Sequence, residues 1–277
     1  MTNTTPIYWS ADGVSLQTFT QNIETMAGRL LPAPMVGDDI VIPGQQGETW
    51  VPKIEGARVL TLSMWVLGGT PSGDAPPSGS SALQAFDANW RALRNLLWTP
   101  GRQFALTKQF YLAGSIKSVT AMAEFAGGLE PTMIGRNGAK FTVNLKIAKA
   151  YFFDDAYTTF SLVTGANTCH LDGDGLSNNL FLTINGTNTN ALIVNNTAGM
   201  QVQYYDALLT GGKAELDIFN YACKTTPSGV APYDSTGKVR HAGALPWLQL
   251  KPGDNTLTVS RSAGTGSIQL QGKGAWL

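Results

Sequence analysis

Charge is scarce in this chain. Of its 277 residues only 14% are Asp, Glu, Lys or Arg, against roughly 25% in an ordinary soluble domain. The 19 basic and 19 acidic residues cancel, and no Lys/Arg run is present to neutralise a row of phosphates, which speaks against direct nucleic-acid binding. Histidine is almost missing: only His170 and His241 occur, so any Ser-His-Asp or Cys-His chemistry must use one of them. Two cysteines, Cys169 and Cys223, cannot define a disulfide framework, and two reduced thiols are expected. No stretch approaches the ~20 apolar residues of a membrane span. The first ten residues lack the basic and apolar segments of an export signal, so synthesis and folding in a cytoplasm are expected.

What is present is apolar or neutral-polar. Hydrophobic residues make up 43% of the chain, enough for a sizeable core, and the remaining surface must come from Ser, Thr, Asn, Gln and Gly. Such groups cost far less to desolvate than ions. Two readings follow with equal support: extensive protein–protein contact, or a neutral-surfaced monomer.

Periodicity points to strands nearly throughout. Val14 to Phe19 alternates loosely, and Ile40-Val41-Ile42 is a short apolar run stopped by Pro43-Gly44. Over 58–67, Leu60, Leu62, Met64 and Val66 share one face while Trp65 makes the other partly apolar. Over 140–148, Phe141, Val143, Leu145 and Ile147 share a face. Further strands are expected at 103–107 and 112–124. A Gly/Pro/Ser-rich stretch at 68–81 reads as a loop. One helix follows it. Ser81 and Gln84 have capping-box spacing, Leu83, Phe86, Trp90, Leu93 and Leu97 form a stripe, and Thr99-Pro100-Gly101 ends it. A lone helix among strands must pack on a sheet.

The pattern breaks at Tyr151-Phe152-Phe153-Asp154-Asp155, which places a domain boundary between 1–153 and 154–277. Beyond it, short strands and frequent turn signals suggest a sandwich. Leu180, Leu182 and Ile184 run into Asn185-Gly186, a hairpin signal. Met200, Val202 and Tyr204 form another strand, Gly211-Gly212 opens a turn, and residues 224–243 read as an exposed polar loop. Lys251-Pro252-Gly253-Asp254-Asn255 has the composition of a tight turn.

No motif carries a reaction. Cys169 and His170 are neighbours on a strand and point to opposite faces, and His241 has no carboxylate near it in sequence. Asp172-Gly173-Asp174-Gly175 opens like a calcium loop but lacks the closing ligands, so it reads as a turn entering the first sandwich strand. Cys169, His170 and Asp172 lack a second zinc-ligand pair. Asp38-Asp39 and Asp154-Asp155 are adjacent acids at element ends, without the separation a glycosidase needs. Gly135-Arg136-Asn137-Gly138 reads as a turn before a strand and leads into no helix that could hold a phosphate. Tyr204, Tyr205, Tyr233 and Trp247 are candidates for a saccharide-stacking platform, with core packing as the alternative for each. No cofactor, metal or catalytic residue is assigned.

The order of features resembles a known family. Trp9, Asp12-Gly13-Val14-Ser15-Leu16, Val41-Ile42-Pro43-Gly44-Gln45-Gln46-Gly47-Glu48-Thr49-Trp50, Trp65-Val66-Leu67-Gly68, the Trp-bearing helix, Leu180 to Gly186, and Trp247-Leu248-Gln249-Leu250-Lys251-Pro252-Gly253-Asp254-Asn255-Thr256-Leu257 together look like the distal tail protein, or phage minor tail protein, of long flexible-tailed bacteriophages. The 224–243 segment has no counterpart there. The resemblance implies a mainly β chain: a tail-tube-like β-barrel or sandwich with one α-helix at 1–153, then a galectin-like β-sandwich at 154–277. It also implies a homohexameric ring at the distal end of the tail tube, a non-enzymatic virion hub joining the tube protein to the tail-tip protein, with the genome passing through unread. A carbohydrate-binding module contacting host saccharide is the alternative function, and a polysaccharide-degrading tail enzyme a third.

Overall fold

The computed structural model describes residues 8–28, 34–36, 40–41, 48–49, 54–70, 81–98, 101–242 and 247–277. Most of the 42–50 motif, the Asp38-Asp39 pair and the body of the Gly/Pro/Ser stretch lie outside the described residues. The chain divides into two compact units, Met1–Phe152 with Leu277, and Phe153–Trp276. It is mainly β, with a single α-helix among the described residues.

The first unit is built on seven antiparallel strands: β1 (Tyr8–Ala11), β2 (Val14–Ser15), β3 (Gln21–Ala27), β4 (Arg58–Leu67), β5 (Phe104–Leu112), β6 (Ser115–Gly128) and β7 (Gly138–Ile147). Their hydrogen-bonded order is β2-β1-β5-β6-β7-β4-β3. The two segments of strongest alternation are direct neighbours. Met64 lies opposite Phe141, Leu62 opposite Val143 and Leu60 opposite Leu145, and all six are buried. Leu106 and Phe104 of β5 meet Ala121 and Ala123 of β6 on the same inner face. On the opposite face Trp65 is half-buried, and Val59, Thr61, Ser63 and Leu67 beside it are exposed or half-buried among the described residues.

The helix α1 (Ala82–Leu97) has the expected capping box: Ser81 Oγ accepts from Gln84 N–H at 3.2 Å while Gln84 Oε1 accepts from Ser81 N–H at 2.8 Å. Phe86, Leu93 and Leu97 are buried, and Trp90 meets the Phe141 ring edge-on at 5.1 Å. Leu83 stays outside the buried stripe, 52% exposed. Gly68 is required by the close approach of the helix start: a Cβ there would lie 1.9 Å from the Ala82 carbonyl oxygen. Asn89 Nδ2 donates to the Leu67 and Gly69 carbonyls and ties helix to strand.

The second unit is a sandwich of β8 (Thr158–Leu162), β9 (Gly165–Leu171), β10 (Leu180–Asn185), β11 (Asn188–Asn195), β12 (Met200–Leu208), β13 (Lys213–Asp217), β14 (Ala222–Thr226), β15 (Tyr233–Asp234), β16 (Val239–Ala242), β17 (Gly253–Ser260) and β18 (Ile268–Gly272). One sheet runs β8-β18-β10-β13-β14-β15 and the other β9-β17-β11-β12-β16. Between them sit Leu182, Ile184, Ile193, Val202, Leu216, Leu257, Val259 and Leu270, all essentially inaccessible.

Three local expectations are corrected. Asn185-Gly186 does form a turn, with Gly186 at φ +68°, but β10 and β11 belong to different sheets. The turn is a corner, because each strand pairs with distant segments and not with the other. Residues 224–242 are not a free loop: they supply the end of β14, all of β15 and β16, and buried Thr225 and Ser235. The Asp172-Gly175 turn follows β9 and does not enter a first strand; Asp174 and Gly175 N–H donate to the Ala275 carbonyl.

Candidate assembly surface

Alternation along the first unit's strands sends every second side chain away from the core. That outer face is polar yet nearly free of net charge. Thr107 and Thr120 share a hydroxyl hydrogen bond at 2.8 Å, and Thr61 Oγ1 donates to Asn144 Oδ1 at 2.7 Å. Its charges are matched locally: Lys140 pairs with Glu24 at 2.7 Å and Lys146 with Glu124 at 2.8 Å. Ser10, Ser63, Gln109 and Ser118 are half-buried on the same parity, with Thr142 and Met122 more exposed. Apolar side chains stand out at its margins, including Tyr8, Tyr111, Ile116 and Val59. The sheet ends in edge strands β2 and β3. β3 carries a register shift between Ile23 and Thr25, at Glu24, and a bulge plus a charge blunts indiscriminate strand pairing.

The stacking candidates are not brought together. Tyr204 is 1% exposed and its hydroxyl lies 2.8 Å from Thr225 Oγ1 in a chain that continues to Ser235 Oγ and Cys223 Sγ. Burial raises its pKa. Trp247 is 6% exposed, edge-on to Tyr221 and stacked at 6.3 Å with His241. Both are core side chains, as period-two alternation dictates for Tyr204. Tyr205 points the other way and is 47% exposed, but the Arg240 guanidinium stands 3.7 Å over its ring. Tyr233 lies on the edge strand β15, with Lys238 Nζ 5.4 Å from its ring centre.

The other sequence candidates separate in the same way. Cys169 and Cys223 are free thiols buried in opposite sheets; burial pushes Cys169 up to about 11 and raises Cys223. His170 is exposed between two carboxylates, with Nδ1 2.6 Å from Asp254 and Nε2 3.3 Å from Asp172. These hydrogen bonds, Asp254 first, raise its pKa. Among the described residues no three His, Cys, Asp or Glu side chains converge on a metal-sized point, and no helix is long and apolar enough to cross a membrane. Asp154 is buried, accepting from Trp276 Nε1 at 2.7 Å and from Gly274 N–H at 3.1 Å.

Two features gave no sequence signal. Arg58, at the start of β4, is 2% exposed, and among the described residues none of its three guanidinium nitrogens has a hydrogen-bond partner. The second is an apolar-walled groove over the outer face of the second unit's first sheet.

The sequence matches no protein-family model and no curated protein. Solved structures do match. The Dit protein (gp 19.1) of SPP1, described as a paradigm of the hub adsorption apparatus in phages infecting Gram-positive hosts, aligns over 99% of this chain and 100% of its own, with TM-score 0.64 and 15% identity. A chain of the phage P2 baseplate in its activated conformation aligns over 97% of this chain and 98% of its own, with TM-score 0.44 and 7% identity. The chain therefore shares the mainly β fold of SPP1 Dit over nearly its whole length.

Proposed function

We propose that this chain is a structural hub subunit at the distal end of a long flexible phage tail, where copies of it close a ring, six by the family resemblance, between the tail tube and the tail-tip protein. The observation that carries the reading is the end-to-end fold match with the SPP1 hub protein, reached from a sequence whose motif order had already pointed to the same family. The first unit would form the ring and the second would lie outside it as a galectin-like sandwich.

The outer sheet face supports the reading physically. A ring is closed by heterologous contacts repeated around an axis. A face of hydroxyls, amides and self-paired charges loses little on desolvation and attracts no phosphate backbone. A specific contact buries on the order of 1,600 Å² in total. The virion tail tip would be its site of residence, and its work would be mechanical and not catalytic.

Light scattering on the purified chain, with negative-stain images, tests the assembly. The expected result is a closed ring with six times the 29.5 kDa of one chain, and immunogold label at one end of the tail in virions. A strict monomer at high concentration, together with absence of the protein from virions, overturns the proposal.

A further inference from the structure

We infer that residues 227–242 of the second unit form a strap that unfastens as one piece while the sandwich beneath it stays folded. The segment crosses from one sheet to the other. Its β15 pairs with Lys224 and Thr225 of β14, and its β16 pairs along Gln201–Tyr204 of β12. It brings almost no core of its own. Of residues 227–242, all of them described, only Ser235 is buried, and Ser235 is polar. Val239 is partly buried against the core, while Val230 is 59% and Tyr233 41% exposed. The strands it covers are the reverse: Val202, Tyr204, Leu208, Cys223 and Thr225 are all buried. A segment with few buried apolar contacts opens at a lower free energy than the body it lies on.

Hydrogen bonds and one ion pair hold the strap instead. Ser235 N–H donates to the Cys223 carbonyl at 2.9 Å, and Cys223 N–H donates to Thr236 Oγ1 at 3.0 Å. Ser235 Oγ accepts from Thr225 Oγ1 at 2.7 Å and donates to Cys223 Sγ at 3.2 Å. Lys238 Nζ donates to Asp206 of β12, which clamps the strap to the second sheet, and to the Tyr233 hydroxyl within the strap at 3.2 Å. Water replaces such bonds at small net cost when the strap lifts. Closed, the strap hides one edge of each sheet. Open, it leaves β12 and β14 with unpaired N–H and C=O groups that a strand of another chain can take up. Opening also uncovers Cys223, which is 3% exposed under the strap. It does not uncover Cys169, which is 1% exposed on β9, at the opposite edge of the second sheet from β16.

The two thiols therefore report on the strap. The full chain is alkylated with iodoacetamide under native conditions, and each site is followed by peptide mass spectrometry. Cys223 should react about tenfold faster than Cys169, or more. Lys238→Ala and Asp206→Ala should each speed Cys223 by about two- to fivefold, the range of an exposed ion pair, and leave Cys169 unchanged. The double variant should be no faster than either single one, because both remove the same clamp. Loss of the Lys238 charge alone acts in the opposite direction, since a nearby cation favours the reactive thiolate. Where a variant loses its fold, hydrogen exchange of the unaltered chain decides: amides of 233–242 should exchange about tenfold faster than those of 253–260. Equal rates at the two thiols, equal acceleration of both by the substitutions, no acceleration of Cys223, or equal exchange of the two segments each overturns the inference.

Discussion

Asn255→Ala, in β17, should destabilise the second unit more than any single polar substitution in the Lys251–Gly253 turn that leads into that strand. Asn255 is 0% exposed and works on the backbone of the Lys251–Gly253 turn. Its Nδ2 donates to the Lys251 carbonyl at 2.8 Å and the Gly253 carbonyl at 3.1 Å, and its Oδ1 accepts from Lys251 N–H at 2.9 Å. A longer contact of 3.3 Å comes from Asn195 Nδ2, which also donates to the Gln249 carbonyl at 2.6 Å. At about 1 kcal/mol net for each of the three short bonds, truncation costs about 3 kcal/mol. For a unit of this size that lowers Tm by roughly 10 °C. Asn255→Asp is the sharper control. It keeps the acceptor but replaces two donor contacts with carboxylate–carbonyl repulsion, so it should be at least as destabilising near neutral pH. Protonation restores a donor, so its deficit shrinks in acid. Differential scanning calorimetry of the three proteins measures this, with the transition of the first unit as internal reference. A fall below about 2 °C for Asn255→Ala refutes the idea that this side chain holds the turn.

Two further outcomes follow. Arg58→Met should stabilise the isolated chain by about 1–2 kcal/mol, because a buried guanidinium without a hydrogen-bond partner among the described residues costs more than its contact with the Phe152 ring at 5.6 Å returns; a lower melting temperature would show that the charge is compensated in solution. His170 should titrate above its ordinary 6.5 by NMR. Since the folded-state pKa is the higher one, its stabilising contribution is full below the unfolded-state value and is lost as pH rises through the folded-state one. A midpoint at or below 6.5 would contradict the Asp254 and Asp172 hydrogen bonds.

Legibility in the sequence followed the range of the interactions involved. The faces of β4 and β7 could be read because Leu60 to Val66 and Phe141 to Ile147 alternate without interruption, and a one-residue slip would expose the whole set. The helix start could be read because a capping box is settled within four residues. Asn185-Gly186 misled for the converse reason: its turn chemistry is local, but which sheet each strand joins depends on partners such as Lys213–Asp217 and Gly253–Ser260. The 224–242 segment misled because edge strands are short and polar, and a polar segment with Pro227 and Pro232 has loop composition even when it closes both sheets. Tyr204 could be assigned to the core by parity once its strand was extended to Leu208, while Trp247 lies outside any strand and carried no such signal. The groove at Phe181, Glu215 and Lys224 was illegible because its rows join three strands that only the register aligns.

Composition alone left the meaning of the low charge open between an assembling surface and a neutral monomer. The placement of the few charges bears on that choice. On the outer face of the first unit's sheet, Lys140 and Lys146 are each spent on a carboxylate of the same chain, Glu24 and Glu124. Such a face needs no complementary charge from a neighbour, so contacts made through it should depend on shape and neutral hydrogen bonds. Exposed interchain ion pairs lose most of their attraction as the screening length falls from roughly 10 Å at 0.1 M salt towards 3 Å at 1 M, whereas neutral contacts do not. A ring built through this face should therefore keep its mass across that range of salt. Dissociation as salt rises would mean that the ring closes through charged groups elsewhere, and would detach the proposed assembly from this surface.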